Sequence, residues 1–263
     1  MTVPAPTSAQ RAANGLVWGF VALVLVFLYA PMVPPVLRSF AGASVENGGL
    51  FASYRAIFDD PLLIGGIWNT VMIGAIVAVV TPVLALAIAQ ALREWQKPRL
   101  ILGLVLLPLF VPGVSMGVAM AVFFKVLGVE PSLLTMSVVQ ILWALPFATL
   151  VIMTVMASFD ETYLEAAYVL GSNRFAAFWK VELPCIRQGL FGAAAFSLIL
   201  SFNETIRTSI VQGGRNTVQT YLWSQYQQVG LSPALYALMT LLIVATLALM
   251  AGIVVVTRRR QLP

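Results

Sequence analysis

Apolar positions along the chain gather into six long blocks separated by short polar connections, with none of the strict alternation that a membrane β-barrel requires. The blocks are residues 16–37, 65–92, 100–127, 135–159, 189–211 and 233–257. Each meets the roughly 20 residues needed to cross about 30 Å of hydrocarbon. In lipid such blocks must be helices, because an open strand leaves backbone donors and acceptors unpaired. The pattern predicts an all-α, polytopic membrane protein with six transmembrane helices. Residues 15–263 form one transmembrane domain behind a flexible segment, 1–14, that is rich in Pro, Ala, Ser and Thr. The fifth block is the weakest, since Asn203, Glu204 and Arg207 interrupt its second half. The first block is too long for the apolar stretch of a signal peptide and ends on Pro31, Pro34 and Pro35, so it reads as a retained helix.

The connections set orientation. Ten of the fifteen basic residues, among them Arg93, Lys97, Arg99, Arg174, Lys180, Arg187 and Arg258 to Arg260, fall on the side that holds both termini. That side is predicted to be cytoplasmic. The charges lie in short clusters beside block ends, where they contact anionic membrane lipid, and this placement argues against a nucleic-acid surface. Composition agrees: 25 charged residues are a tenth of the chain, mean hydropathy is +0.93, and there is no histidine. The absent histidine removes the usual general base and metal ligand. The single cysteine, Cys185, permits no intramolecular disulfide and reads as a small packed residue. On the outer side, a short helix is expected over residues 51–58, before Asp59, Asp60 and Pro61.

The inner connection 160–188 carries the most information. Ser158 and Glu161 have capping-box spacing, and Asp160, Glu161 and Glu165 suit the positive end of a helix dipole. A helix of about three turns is expected, closed by Gly171, with Asn173 capping a second short helix that ends before Pro184. Leu164, Ala167, Tyr168 and Gly171 share one face, and Ala166 keeps the backbone slender. Such a helix either lies on lipid headgroups or presents small and apolar residues outward to a groove on a soluble partner.

Glu165-Ala166-Ala167, then Gly171, Val181 and Leu183-Pro184 resembles the E-A-A-x3-G-x9-I-x-L-P signature of permease subunits of bacterial ABC importers, with Val in the usual Ile position. The resemblance implies the six-helix type I (MetI-like) permease fold and a coupling helix that docks on a cytoplasmic ATPase. Glu161, Leu164, Glu165, Ala166, Ala167, Tyr168 and Gly171 are the coupling residues on this reading. It further implies two ATP-binding subunits, a second permease subunit, expected to be a paralogue, and an extracytoplasmic solute-binding protein. The chain has no G-x-x-x-x-G-K-[ST] and no G-x-G-x-x-G, so ATP and Mg would be bound by the partner ATPases, with no cofactor in this chain and no catalytic residue.

Looser stretches resemble the spermidine/putrescine branch of these permeases: Leu107-Pro-Leu-Phe-Val-Pro-Gly113, Leu145-Pro-Phe147, Ser201-Phe-Asn-Glu204 and Gly230-Leu-Ser-Pro-Ala-Leu-Tyr-Ala-Leu238. They imply a polyamine or a similar small organic cation as substrate. Charges inside spans cost about 3 kcal/mol on insertion scales, so Glu204 and Arg207 are candidates for the translocation pathway, together with Asn203, Gln140 and Asn69. The branch often has two acids after Ser-Phe, whereas here Asn203 precedes Glu204. Arg207, on the same helix face as Glu204, either neutralises it or favours an anionic or zwitterionic substrate such as an amino acid, an opine or an aminophosphonate. Pro82, Pro108, Pro112 and Pro146 are hinges or fixed kinks. An ion-driven secondary transporter is the rival class, but it leaves the inner-loop signature unexplained and no internal repeat supports it.

Overall fold

The computed structural model describes residues 8–41, 49, 51–95 and 98–259. The first residues of the flexible segment, the loop around Gly42 and Gly48, Lys97 and Arg260 lie outside the described residues. The described chain is helical, and it divides into two compact units.

One unit holds residues 1–59 and 228–263. Helix α1 (Ser8–Tyr29) runs through a single 3-10 turn (Ala30–Met32), which holds Pro31, into α2 (Val33–Arg38), which holds Pro34 and Pro35, and the span ends at Arg38, one residue beyond the expected bound. Proline is tolerated there because it falls in the first turn of each new segment, where no amide is needed. The short outer helix is α3 (Ala52–Phe58), as expected. It packs with α2 against α13 (Pro233–Arg259), whose 27 residues span about 40 Å. Phe40, Phe51 and Tyr54 form an aromatic cluster, and Arg38 lies over the Tyr236 ring.

The other unit, residues 60–227, is built on α4 (Pro61–Glu94), α7 (Leu133–Ala157) and α10 (Leu183–Phe202), which pack on one another. Asp60 caps α4 by accepting the Leu62 amide at 2.8 Å. Small residues set the spacing at one end of the trio, where Ala85, Ala89, Ala148 and Ala193 enclose Ile152. At the other end Ile73, Val77, Met136 and Val139 form a second core with Phe124 and Val211. Gly74 is required at its place on α4: a Cβ there would lie 2.6 Å from the Phe202 ring. Pro82 and Pro146 sit inside the unbroken helices α4 and α7.

The expected third span is not one helix. It is α5 (Pro98–Leu106), a 3-10 turn (Leu107–Phe110) and α6 (Gly113–Val126), bent by 104°. Val111 is extended because the following Pro112 disfavours helical backbone before it. The fifth span also departs from expectation. Its helix α10 starts earlier, running on from the inner connection, and ends at Phe202. The chain then passes through Asn203 to Thr205 into a separate short helix, α11 (Ile206–Val211). The membrane-length single helices among the described residues are Asn14–Arg38, Pro61–Glu94, Leu133–Ala157 and Arg174–Phe202, with the bent pair as a fifth span; Pro233–Ala248 is the apolar part of α13.

The inner connection is α8 (Thr162–Val169), α9 (Arg174–Ala177) and a π-helical turn (Phe178–Glu182) that leads into α10. The second short helix therefore does not end before Pro184, which follows the π-helical turn within the helical run Arg174–Phe202. Cys185 is exposed, not packed. Helix α12 (Val218–Gln228) follows α11, with Tyr221 half-buried and Trp223 and Tyr226 exposed.

Candidate functional site

Helix α8 starts without the capping box. Ser158 Oγ donates to the Thr154 carbonyl of the preceding helix, and Asp160 Oδ1 accepts the Thr162 amide at 3.0 Å. The Thr162 hydroxyl and amide hold the Asp160 carboxyl below its ordinary range. The helix has eight residues, about two turns instead of three. Gly171 ends it at φ +84, where the Ser172 amide reaches back to the Ala167 carbonyl at 2.9 Å. Asn173 then caps α9 through the Ala176 amide.

The outward face is not the one expected. Leu164 and Ala167 turn inward onto Ala177, with Phe159 and Val181 around them. Tyr163, Glu165, Ala166 and Tyr168 are exposed, and the tip before Gly171 presents Val169 and Leu170 at 87% and 86% exposure.

Beside α8 lies a cavity of about 670 Å³. Glu161, Glu165 and Tyr168 from α8 and its start line one side, Arg174, Phe175 and Phe178 another, and the last turns of α4 the third. At its edge is Glu182, which sequence reasoning missed. It is 2% exposed and fully engaged. Gln90 Nε2 donates to Oε1 at 2.6 Å, and Arg93 grips both carboxylate oxygens at 2.9 and 3.1 Å while also donating to Gln90 Oε1. Arg174 pairs with Glu94. Only the spacing of Gln90 and Arg93, one turn apart on α4, hinted at a common partner.

The second candidate region surrounds the break in the fifth span. Glu204 precedes α11 and so does not share a helix face with Arg207. Its Oε1 accepts the Arg207 amide at 2.9 Å and its Oε2 pairs with Arg207 Nη1 at 2.7 Å. Both residues are buried. The guanidinium lies 3.8 Å from the Trp143 ring centre, and a Cβ on Gly113 would stand 3.3 Å from it. Arg207 is thus neutralised by Glu204, stacked on α7 and set against the first residue of α6. Trp143 and Gly113 carried no sequence signal for this role.

The uncharged candidates are spread more widely. Gln140 is buried and staples the break from α7: it accepts the Ser201 hydroxyl at 2.5 Å and donates to Thr208 at 2.9 Å. Asn203 is exposed and closes α10, donating to the Ile199 carbonyl. Asn69 lies elsewhere, donating to the Asn216 carbonyl, while Asn216 donates to that of Leu62. These bonds, with the Val218 amide on Thr70, tie the connection before α12 to the start of α4. Tyr221 completes that tie by donating to Asp60 Oδ2 at 2.5 Å. Its hydroxyl is pushed up to about 12 by burial and by the Asp60 carboxylate, and the same bond draws the Asp60 carboxyl down.

The described chain thus has membrane-length helices with a folded, apolar-tipped segment between two of them. Among the described residues no group of three or more His, Cys, Asp or Glu side chains gathers to hold a metal. The chain belongs to the family of binding-protein-dependent transport system inner membrane components, whose profile matches residues 83–261. It is 24% identical to the spermidine/putrescine transport system permease protein PotC of Haemophilus influenzae, over 92% of this chain and 96% of that one. It is 25% identical to the putrescine transport system permease protein PotI of Escherichia coli, over 86% and 85%. Among solved structures it matches a bacterial ABC transporter involved in the import of the acidic polysaccharide alginate, with TM-score 0.75 and 14% identity over 97% of this chain and 99% of the other. The same type of transporter in complex with a pentasaccharide-bound periplasmic protein matches at TM-score 0.66 and 16% identity, over 92% and 91%.

Proposed function

We propose that this chain is the permease subunit of an ATP-driven importer of polyamines or similar small organic cations, forming the substrate pathway by alternating access as one half of a transmembrane dimer. The observation that carries the coupling is the α8 tip, where Gly171 turns the chain and leaves Val169 and Leu170 exposed beside Glu165. One of two ATP-binding subunits docks there and the other on the second permease subunit; the two ATPases hold ATP and Mg, so this chain carries no cofactor of its own. The second permease subunit is a paralogue, an extracytoplasmic binding protein delivers substrate, and both termini are cytoplasmic. Support for the cation comes from relatives named for spermidine and putrescine that align over most of this chain.

One observation favours a second reading with another substrate. Glu204 is already neutralised by Arg207, so the break region offers a balanced pair where a polycation would be better served by free carboxylates. An amino acid, opine or aminophosphonate fits that balance. Calorimetry with the cognate binding protein separates the two: tight binding of putrescine or spermidine supports the first, and tight binding of a zwitterion with none for polyamines overturns it.

A further inference from the structure

Resting on the coupling reading above, we propose that Glu182, Arg93 and Gln90, with Glu94 and Arg174, form a transmission clasp that carries displacement of the coupling segment into α4. A buried carboxylate is retained against its desolvation only when its oxygens are satisfied, and all of the described side-chain hydrogen bonds to Glu182 come from one helix. Glu182 is the last residue of the π-helical turn and the one buried there, facing Gln90 and Arg93 of α4.

The two ion pairs run in opposite senses. Neighbours Arg93 and Glu94 on α4 meet Glu182 and Arg174 at the two ends of the α9 and π-turn stretch. Exchanging partners would set Arg93 against Arg174 and Glu94 against Glu182, so charge selects a single register. Helix α8 packs on this stretch through Leu164 and Ala167 against Ala177. A push on the α8 tip therefore reaches α4 through the clasp, in addition to the covalent routes into α7 and α10. Helix α4 packs on both of those helices, so the push enters the bundle at three places. These are positioning residues: they touch neither substrate nor nucleotide.

The test uses the complete transporter reconstituted in proteoliposomes with its ATPases and binding protein, and reads uptake per ATP hydrolysed. Glu182→Gln is expected to assemble and hydrolyse ATP at close to the wild-type rate while that ratio falls at least about tenfold. Reversing both charges, R93E with E182R, restores most of the ratio that either reversal alone destroys. Arg93→Lys keeps a cation but loses the two-pronged grip, and lowers the ratio by about threefold even if Glu182→Gln fails to assemble. A ratio unchanged in Glu182→Gln or Arg93→Lys, or a double reversal no better than the single ones, overturns the clasp. Wild-type uptake that proceeds without ATP overturns the coupling reading itself, and the clasp with it.

Discussion

Glu204 and Arg207 lie in buried surroundings where each is tolerable because of the other. Removing one partner of a buried pair leaves an uncompensated charge, which costs about 3 to 5 kcal/mol, whereas replacing both by apolar groups is often neutral. Glu204→Ala should therefore lower the melting temperature in detergent, and Glu204→Leu with Arg207→Met should recover most of the loss. A single variant that melts with the wild type would remove the pair from the stability of the fold. Tyr221 and Asp60 give a second test, on alkaline pH. Burial and the Asp60 carboxylate to which it donates raise the Tyr221 pKa in the fold, so the stabilisation of the neutral form is complete below the ordinary 10.0 and lost as pH rises towards about 12. Tyr221→Phe should flatten the change in stability across that window. An unaltered alkaline profile in the variant would contradict the assignment.

At the level of elements, the coupling segment depends on the left-handed residue at its turn. Gly171→Arg imposes a Cβ at φ +84 and sets a long cation beside Val169 and Leu170. The expected result is an assembled complex whose ATP hydrolysis no longer drives uptake; wild-type transport would refute docking at this tip. Packing between α4 and α10 makes a separate prediction. Gly74→Val, forced against Phe202, should destabilise by about 1 to 3 kcal/mol in chemical denaturation, and no change would mean that the two helices are looser than described.

Element boundaries show what the sequence made legible. Block lengths located α4, α7 and α13 because hydrocarbon thickness sets a minimum apolar run, and Gly171 and Asn173 announced their own turns because few residues suit those backbone positions. The prolines were ambiguous. Pro82 and Pro146 lie in continuous helices while Pro112 follows the extended Val111 at a sharp bend, so the residue type alone does not tell a tolerated proline from a break. The inward turn of Leu164 and Ala167 was equally hidden, since helical spacing groups a face without saying what lies opposite. Glu182 was read as part of a connection because its partners are about ninety positions away.

For the whole molecule, the proposed function separates substrate movement from energy input within a permease component. The buried pair sits at the break of the fifth span, and the apolar tip lies on the inner connection. The two are linked through α4, α7 and α10, which run the length of the unit that contains both. The most direct measurement is uptake of labelled putrescine or spermidine by proteoliposomes holding this chain, its partner permease and its ATPases, with binding protein outside and ATP inside. The account predicts uptake that requires both ATP and binding protein and vanishes when the ATPases lose their phosphate-loop lysine. Uptake driven by an ion gradient alone, indifferent to ATP, would contradict it.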